Sequence, residues 1–254
     1  MKPVCLVIGA GAGIGGTVAR RFALEGYHAC LCRRTDSEGL NRLVEAIESD
    51  GGSATGYLLD AVAPGSIEER VAAIEADIGP IEVVIYNLGA QIGDRALKDT
   101  SLKVFETGWR LGTLGLFRVA SAVCPLMERR GKGTILVTSS TAAMRGNAGQ
   151  HSHAAAMGGR RMLCQTLNAE FASKGIHVVH ILVDGAVDAP DTLGKMLGAE
   201  RFRQLRETRG NEHDGLILPT EVAETYLHLA KQHRSTWTHE IDLRAFSDRA
   251  WWNH

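Results

Sequence analysis

Six short apolar runs recur along the chain: 3–8 PVCLVI, 27–32 YHACLC, 54–59 ATGYLL, 81–86 IEVVIY, 134–138 TILVT and 176–183 IHVVHILV. Near-continuous apolarity over so few residues suits strands covered on both faces, which is the signature of a parallel sheet. The segments between them, 13–25, 37–50, 65–78, 101–130 and 152–174, have helix length and helix composition. Strand–helix alternation of this kind builds right-handed βαβ units. Segment 188–216 breaks the rhythm with a mixed-charge helix, AERFRQLRETRG. Residues 220–233 then read as a last helix and 238–243, THEIDL, as a last strand. No repeat, low-complexity tract or Pro/Ser linker divides the chain. The expectation is one α/β domain over 1–254: a Rossmann-type, doubly wound, mostly parallel seven-stranded sheet flanked by helices.

Charge excludes some partners. Lys and Arg number 28 and Asp and Glu 29. No basic excess calls for nucleic acid, and no basic amphipathic stretch calls for a membrane surface. No apolar run approaches the roughly 20 residues of a bilayer span. The N-terminal apolar stretch is broken by glycines after Ile8, so it reads as a strand and turn rather than a signal peptide. Five scattered cysteines, Cys5, Cys30, Cys32, Cys124 and Cys164, suggest reduced thiols and a cytoplasmic protein. Cys30 and Cys32 share one strand face, but no second Cys/His pair has metal spacing, so they are assigned to the core and no metal is expected.

The stretch VIGAGAGIGG, residues 7–16, ends the first strand and opens the first helix. Gly9, Gly13 and Gly15 stand where a tight turn and close backbone approach are needed. The helix then offers its free N–H groups and dipole to a pyrophosphate. Where an acidic residue would hold the ribose 2′-hydroxyl of NAD, the chain reads CLCRRTD, placing Arg33 and Arg34 there. Guanidinium groups suit a 2′-phosphate, so NADP is favoured over NAD. The competing reading is a solvated arginine pair at a strand end.

Together these residues resemble the short-chain dehydrogenase/reductase family over nearly the whole chain. GAGAGIG at 9–15, which includes Ile14, matches its glycine motif, and LLDAV at 58–62 resembles the segment whose Asp, here Asp60, contacts adenine. YNLGA at 86–90 is similar to its Asn-Asn-Ala-Gly motif, with Asn87 and Gly89 in place. GTILVTSS at 133–140 resembles the strand that delivers the catalytic serine, and VDGAV at 183–187 its Pro-Gly turn beside the nicotinamide. In that turn Asp184 stands for the proline, and Gly185 and Val187 follow. The resemblance implies a carbonyl or alcohol substrate, a lid over 188–216, and a homodimer or homotetramer joined through helices 101–130 and 152–174.

The family's chemistry rests on Asn, Ser, Tyr and Lys. A common spacing puts the tyrosine thirteen positions after the serine and the lysine four further on. Counting from Ser140 gives His153 and then Met157, and the asparagine position in GTLGLF is Gly112. Ser139 competes with Ser140, but would make the count fourteen. Positions four apart share a helix face, so His153 and Met157 point into one cleft. The family lysine lowers the tyrosine's pKa; a free tyrosine near ~10 needs a shift of about 3 units, or about 4 kcal/mol, to work at neutral pH. An imidazole exchanges protons there unaided. Three readings stay open. His153 replaces the tyrosine as acid/base beside Ser140. Alternatively the chain holds NADP without turnover, as a regulatory or partner subunit. In the third, Ser140 and His153 form a nucleophile–base pair oriented by Asp184, in a lyase or hydrolase. Among lesser signals, His151 is expected to face solvent, and Arg201, Arg203, Arg206 and Arg209 to form the wet face of a helix. Trp251 and Trp252 are expected in core or subunit packing.

Overall fold

The computed structural model describes residues 2–89 and 95–253. Its seven strands are β1 (Val4–Ile8), β2 (His28–Arg33), β3 (Ser53–Leu58), β4 (Ile81–Tyr86), β5 (Gly133–Ser140), β6 (Ile176–Val183) and β7 (Glu240–Leu243). They form one sheet in the order β3-β2-β1-β4-β5-β6-β7, and each neighbouring pair is parallel. The strand order reverses between β1 and β4. In an open α/β sheet that is where a crevice forms beyond the strands' carboxyl ends.

Six helices precede β6: α1 (Ile14–Leu24), α2 (Ser37–Ser49), α3 (Ser66–Asp77), α4 (Leu102–Trp109), α5 (Gly115–Arg130) and α6 (His151–Phe171). Alternate residues of each strand serve opposite layers. Val4, Leu6 and Ile8 of β1 face a core shared with α3, α5 and α6, whereas Cys5 and Val7 face α1, α2 and the late helix Pro219–Ala230. In α1 the buried Gly15, Val18, Ala19, Phe22 and Ala23 follow the helical period, so one stripe meets the sheet. Burying Phe22 alone contributes roughly 1.5–3 kcal/mol before entropy is counted. All five cysteines are free and buried. Burial pushes the Cys30 thiol up to about 12 and the Cys32 thiol further, as suits core groups.

Several boundaries move from their sequence-based positions. The strand expected at 134–138 runs on to Ser140, pairing with β6 as far as Ser140–Val183. The expected helix 101–130 is α4 and α5 joined by a π-turn over Arg110–Leu114. By length and composition alone, Leu102–Arg130 would pass for a membrane-crossing helix, a test that a core helix also passes. In this fold Leu116, Val119, Val123 and Met127 lie in the core. Segment 188–216 holds the expected charged helix, at Ala199–Arg209, behind a second π-turn at Pro190–Gly194. Trp252 is 58% exposed, so it is no core residue of this chain, and His151 is half-buried rather than solvent-facing. Ala90, the end of the 86–90 motif, lies outside the described residues.

Candidate active site

The glycine loop is folded against the ends of β2 and β4. The N–H groups of Gly9 and Ala10 both donate to the Cys32 carbonyl, each at 2.9 Å. Gly9 has φ +97, and a Cβ there would stand 2.8 Å from the Asn87 carbonyl group. Only glycine meets both conditions without strain. Asn87 closes the loop, its Nδ2 donating to the Gly9 carbonyl at 3.0 Å. A Cβ at Gly15 would come within 2.3 Å of that same carbonyl oxygen. Gly13 caps α1 without a side-chain hydrogen bond, and the first turn carries no acidic residue. Main-chain N–H groups and an uncompensated dipole therefore face outward beside Gly11, which has nothing within 4 Å of its missing Cβ. A cradle of this shape and polarity fits a dinucleotide pyrophosphate.

The two arginines after β2 are not equivalent. Arg33 is paired with Asp36 at 3.0 Å. The Gly39 N–H, and then Arg33, hold the Asp36 carboxyl below its ordinary range. Arg34 is exposed and makes no ion pair among the described residues. Asp60 sits at the end of β3 with its carboxylate accepting from the Val62 N–H at 3.1 Å. On the far side, Val187 bridges to Ile217, and Gly185 (φ +151) turns beneath Asp248.

A cleft of about 270 Å³ lies between these elements, lined by Ile14, Asn87, Gly89, Ser140, His153 and Val187 among others. A larger cavity, about 1100 Å³, belongs to segment 188–212 and touches neither Ser140 nor His153. Inside the smaller cleft, Ser140 Oγ and His153 Nε2 stand 3.0 Å apart. Ser139 also lines the cleft, but its Oγ donates to the Met157 sulfur at 3.7 Å rather than meeting His153. The two serines at the end of β5 alternate faces, as consecutive strand residues must, and it is Ser140 whose hydroxyl meets His153. Asp184 does not act as an orienting acid in the arrangement seen. Its Oδ2 accepts from the Trp251 N–H at 2.9 Å and lies 3.6 Å from Arg244, tying the C-terminal segment to β6.

Behind His153 the helix is closed by contacts to the π-turn. The Tyr86 hydroxyl donates to the Leu111 carbonyl, and Thr113 Oγ1 donates to the Ala156 carbonyl at 2.9 Å. A Cβ at Gly112 would lie 2.7 Å from Ala156 Cβ and 3.3 Å from Met157 Cε. The asparagine that the resemblance places at this position has no room, because Ala156 and Met157 fill its space. Gly112 and Met157 are therefore packing partners rather than two separate losses. Sequence reasoning missed Arg160, which also lines this cleft. The available signal was its place on the His153–Met157 face, one further turn along α6.

The arginines of the charged helix Ala199–Arg209 behave as a solvated face. Arg203 pairs with Glu200 and Glu207, Arg206 with Asp188 and Arg209 with Asp248, while Arg201 is exposed. None of these lines the Ser140–His153 cleft.

Residues 3–193 match the family model described as short chain dehydrogenase. The chain belongs to this family. Among relatives of this short-chain dehydrogenase, the short-chain reductase protein NovJ of Streptomyces niveus is 33% identical over 242 residues, which are 94% of this chain and 91% of that protein. A solved short-chain dehydrogenase from Rhodopseudomonas palustris has a TM-score of 0.79 at 30% identity, covering 96% of this chain and 99% of that one. Actinorhodin polyketide ketoreductase, solved with NADPH, has a TM-score of 0.81 at 25% identity, covering 96% of each chain. The short-chain dehydrogenase is thus an oxidoreductase by family, with a Rossmann-like sheet matching those neighbours.

Proposed function

We propose that this short-chain dehydrogenase is one NADP(H)-dependent domain over 1–254 that interconverts a carbonyl compound and its alcohol, with His153 as acid/base and Ser140 as the carbonyl's hydrogen-bond donor. The observation that carries the reading is the 3.0 Å contact of Ser140 Oγ with His153 Nε2 inside a cleft framed by the glycine loop, Asn87 and Val187. NADPH, when bound, supplies the hydride. Gly9, Gly13, Ile14 and Gly15 receive its pyrophosphate, Arg34 with Arg33 its 2′-phosphate, and Asp60 its adenine. Asn87, Gly89, Gly185 and Val187 flank the nicotinamide end.

In the reducing direction the Ser140 hydroxyl donates to the substrate oxygen and stabilises the charge that grows there. His153, as imidazolium, would give its Nε2 proton to that oxygen. Alcohol leaves, and water returns a proton to the imidazole. In the oxidising direction neutral His153 removes the hydroxyl proton. An imidazole performs both roles near neutral pH without a neighbouring ammonium group, so apolar Met157 is compatible with turnover.

The test is NADPH oxidation across a panel of ketones and aldehydes. Turnover by the wild type, reduced about hundredfold in Ser140→Ala, is expected. Tight NADPH binding with no carbonyl reduced would instead support a nucleotide-holding subunit. Cofactor choice has its own measurement. Arg34→Ala should raise the Kd for NADPH about tenfold, the loss of one charge-assisted contact, while leaving NADH unchanged. Equal effects on both nucleotides would remove the case for 2′-phosphate recognition.

Two broader proposals accompany this one. Phe105, Trp109, Phe117 and Met162 expose apolar surface on α4, α5 and α6, which supports a homodimer or homotetramer through those helices. Five free cysteines support a reducing, cytoplasmic setting.

A further inference from the structure

Arg160 is only 2% exposed and heads the fully buried side chains by volume. Buried guanidinium groups are ordinarily paired with a carboxylate, because an unpaired charge in a low-dielectric interior is costly. Arg160 has no carboxylate within ion-pair distance among the described residues. It donates instead to three main-chain carbonyls: Nε to Gly112 at 2.9 Å, Nη2 to Leu88 at 2.8 Å, and Nη1 to Thr138. Its guanidinium carbon also lies 5.1 Å from the centre of the Tyr86 ring.

The positions of these carbonyls explain the arrangement. The β4–β5 ladder ends at Tyr86–Val137, whereas β5 continues to Ser140 on β6 alone. Leu88 and Thr138 lie just past the parting of those strands. Gly112 lies in the π-turn, where the regular helical ladder is interrupted. Arg160 thus answers three acceptors from three segments, two of which carry Asn87, Gly89 and Ser140. Each acceptor is neutral, so the contacts satisfy the donors but leave the formal charge in place. Burial lowers the Arg160 pKa, but a guanidinium starts from so high a value that the group keeps its charge near neutral pH. The neighbours on its own helix face, Met157 and His153, supply no anion.

We infer that Arg160 places a fixed positive charge at the floor of the cofactor cleft, and that this charge makes the protein hold the uncharged ring of NADPH more tightly than the cationic ring of NADP+. The inference rests on the reading that the cleft takes NADP(H). The two nucleotides carry the same phosphates and adenosine, so the ratio of their dissociation constants isolates the ring's charge. Two unit positive charges about 12 Å apart, at an effective dielectric near ~20, repel enough for a preference on the order of tenfold.

The experiment is titration calorimetry of wild type, Arg160→Met and Arg160→Lys with NADPH and with NADP+. Wild type should bind NADPH more tightly. Arg160→Met removes the charge at similar length, and the ratio Kd(NADP+)/Kd(NADPH) should fall about three- to tenfold. Arg160→Lys keeps the charge but breaks the three-way tie; both affinities should weaken while the ratio stays. A wild type that binds NADP+ as tightly as NADPH overturns the inference, and that result needs no variant to fold. An Arg160→Met protein that loses affinity for both nucleotides by one factor also overturns it, leaving a purely structural tie. Absence of binding of either nucleotide to the wild type would overturn the cofactor reading together with this one. Tight binding with an unchanged ratio overturns this one only.

Discussion

His153→Phe is expected to lower NADPH-driven carbonyl reduction by 10²- to 10⁴-fold, the range that a positioned proton donor contributes. Phenylalanine keeps a ring of similar width but removes Nε2, the atom 3.0 Å from Ser140 Oγ. The glycine loop is built by Gly9, Gly15 and Asn87 and does not involve His153, so the Kd for NADPH should change less than about threefold. Steady-state kinetics with a fluorescence titration measures both. A variant that retains wild-type turnover would refute the acid/base assignment. His153→Tyr sharpens the test. A phenol near ~10 with no cation at position 157 lacks the shift it needs for neutral-pH service. That variant should stay slow at pH 7 in alcohol oxidation and gain rate as the pH is raised. Equal activity of His153→Tyr and wild type at pH 7 would mean that another cation of the cleft, Arg160 in the first place, lowers the phenol's pKa.

Acid should destabilise the protein through His180. This side chain on β6 is completely buried; its Nδ1 meets Glu240 Oε2 at 2.9 Å, and its Nε2 has no partner among the described residues. A carboxylate only accepts, so the Nδ1–H form faces Glu240 and Nε2 keeps a buried lone pair. Burial pushes the imidazole down to about 4 from an ordinary 6.5, outweighing the pull of Glu240. The folded pKa is depressed, so the unfolded chain takes up the proton first. The contribution is intact above about pH 7 and is lost as pH falls toward 4. At pH 5 the loss is about 2 kcal/mol. Arg161, bonded to both Glu240 oxygens, holds that carboxyl below its usual range, which adds a loss in the same direction at lower pH. Urea unfolding at pH 7.5 and pH 5.0 measures the slope. In His180→Leu, which cannot titrate there, the drop between the two pH values should shrink by most of that amount. An equal drop in both proteins would place the acid sensitivity elsewhere.

Much of the fold was legible because burial on two faces leaves a mark in local sequence. Apart from the edge strand β3, whose SATGYL is mixed and only partly buried, the β1–β6 core runs are largely apolar, and the intervening segments carry helical stripes, so the doubly wound sheet follows from short-range pattern. The Gly9–Gly15 loop was legible for a similar reason: close backbone contacts exclude side chains, and glycine records that exclusion. Ser140 and His153 were found by spacing, and the cleft brings them together. The two arginines after β2 were legible only as a pair.

What the sequence by itself determined was the order of the elements and the glycine-rich loop, since each is written in local pattern within a strand, turn or helix; the Ser140–His153 pair came from the thirteen-residue spacing of the family the chain resembles. Only the tertiary structure decided that Arg33 is spent on Asp36 while Arg34 stays open, and that Asp184 holds Trp251 rather than an imidazole. It also decided that Met157 fills the room of a side chain at Gly112, and that Arg160 ties together the segments behind the cleft. These depend on which distant segments meet past the ends of β4, β5 and β6. There the regular ladders stop, and unpaired main-chain groups take whatever donor or acceptor the fold brings within reach.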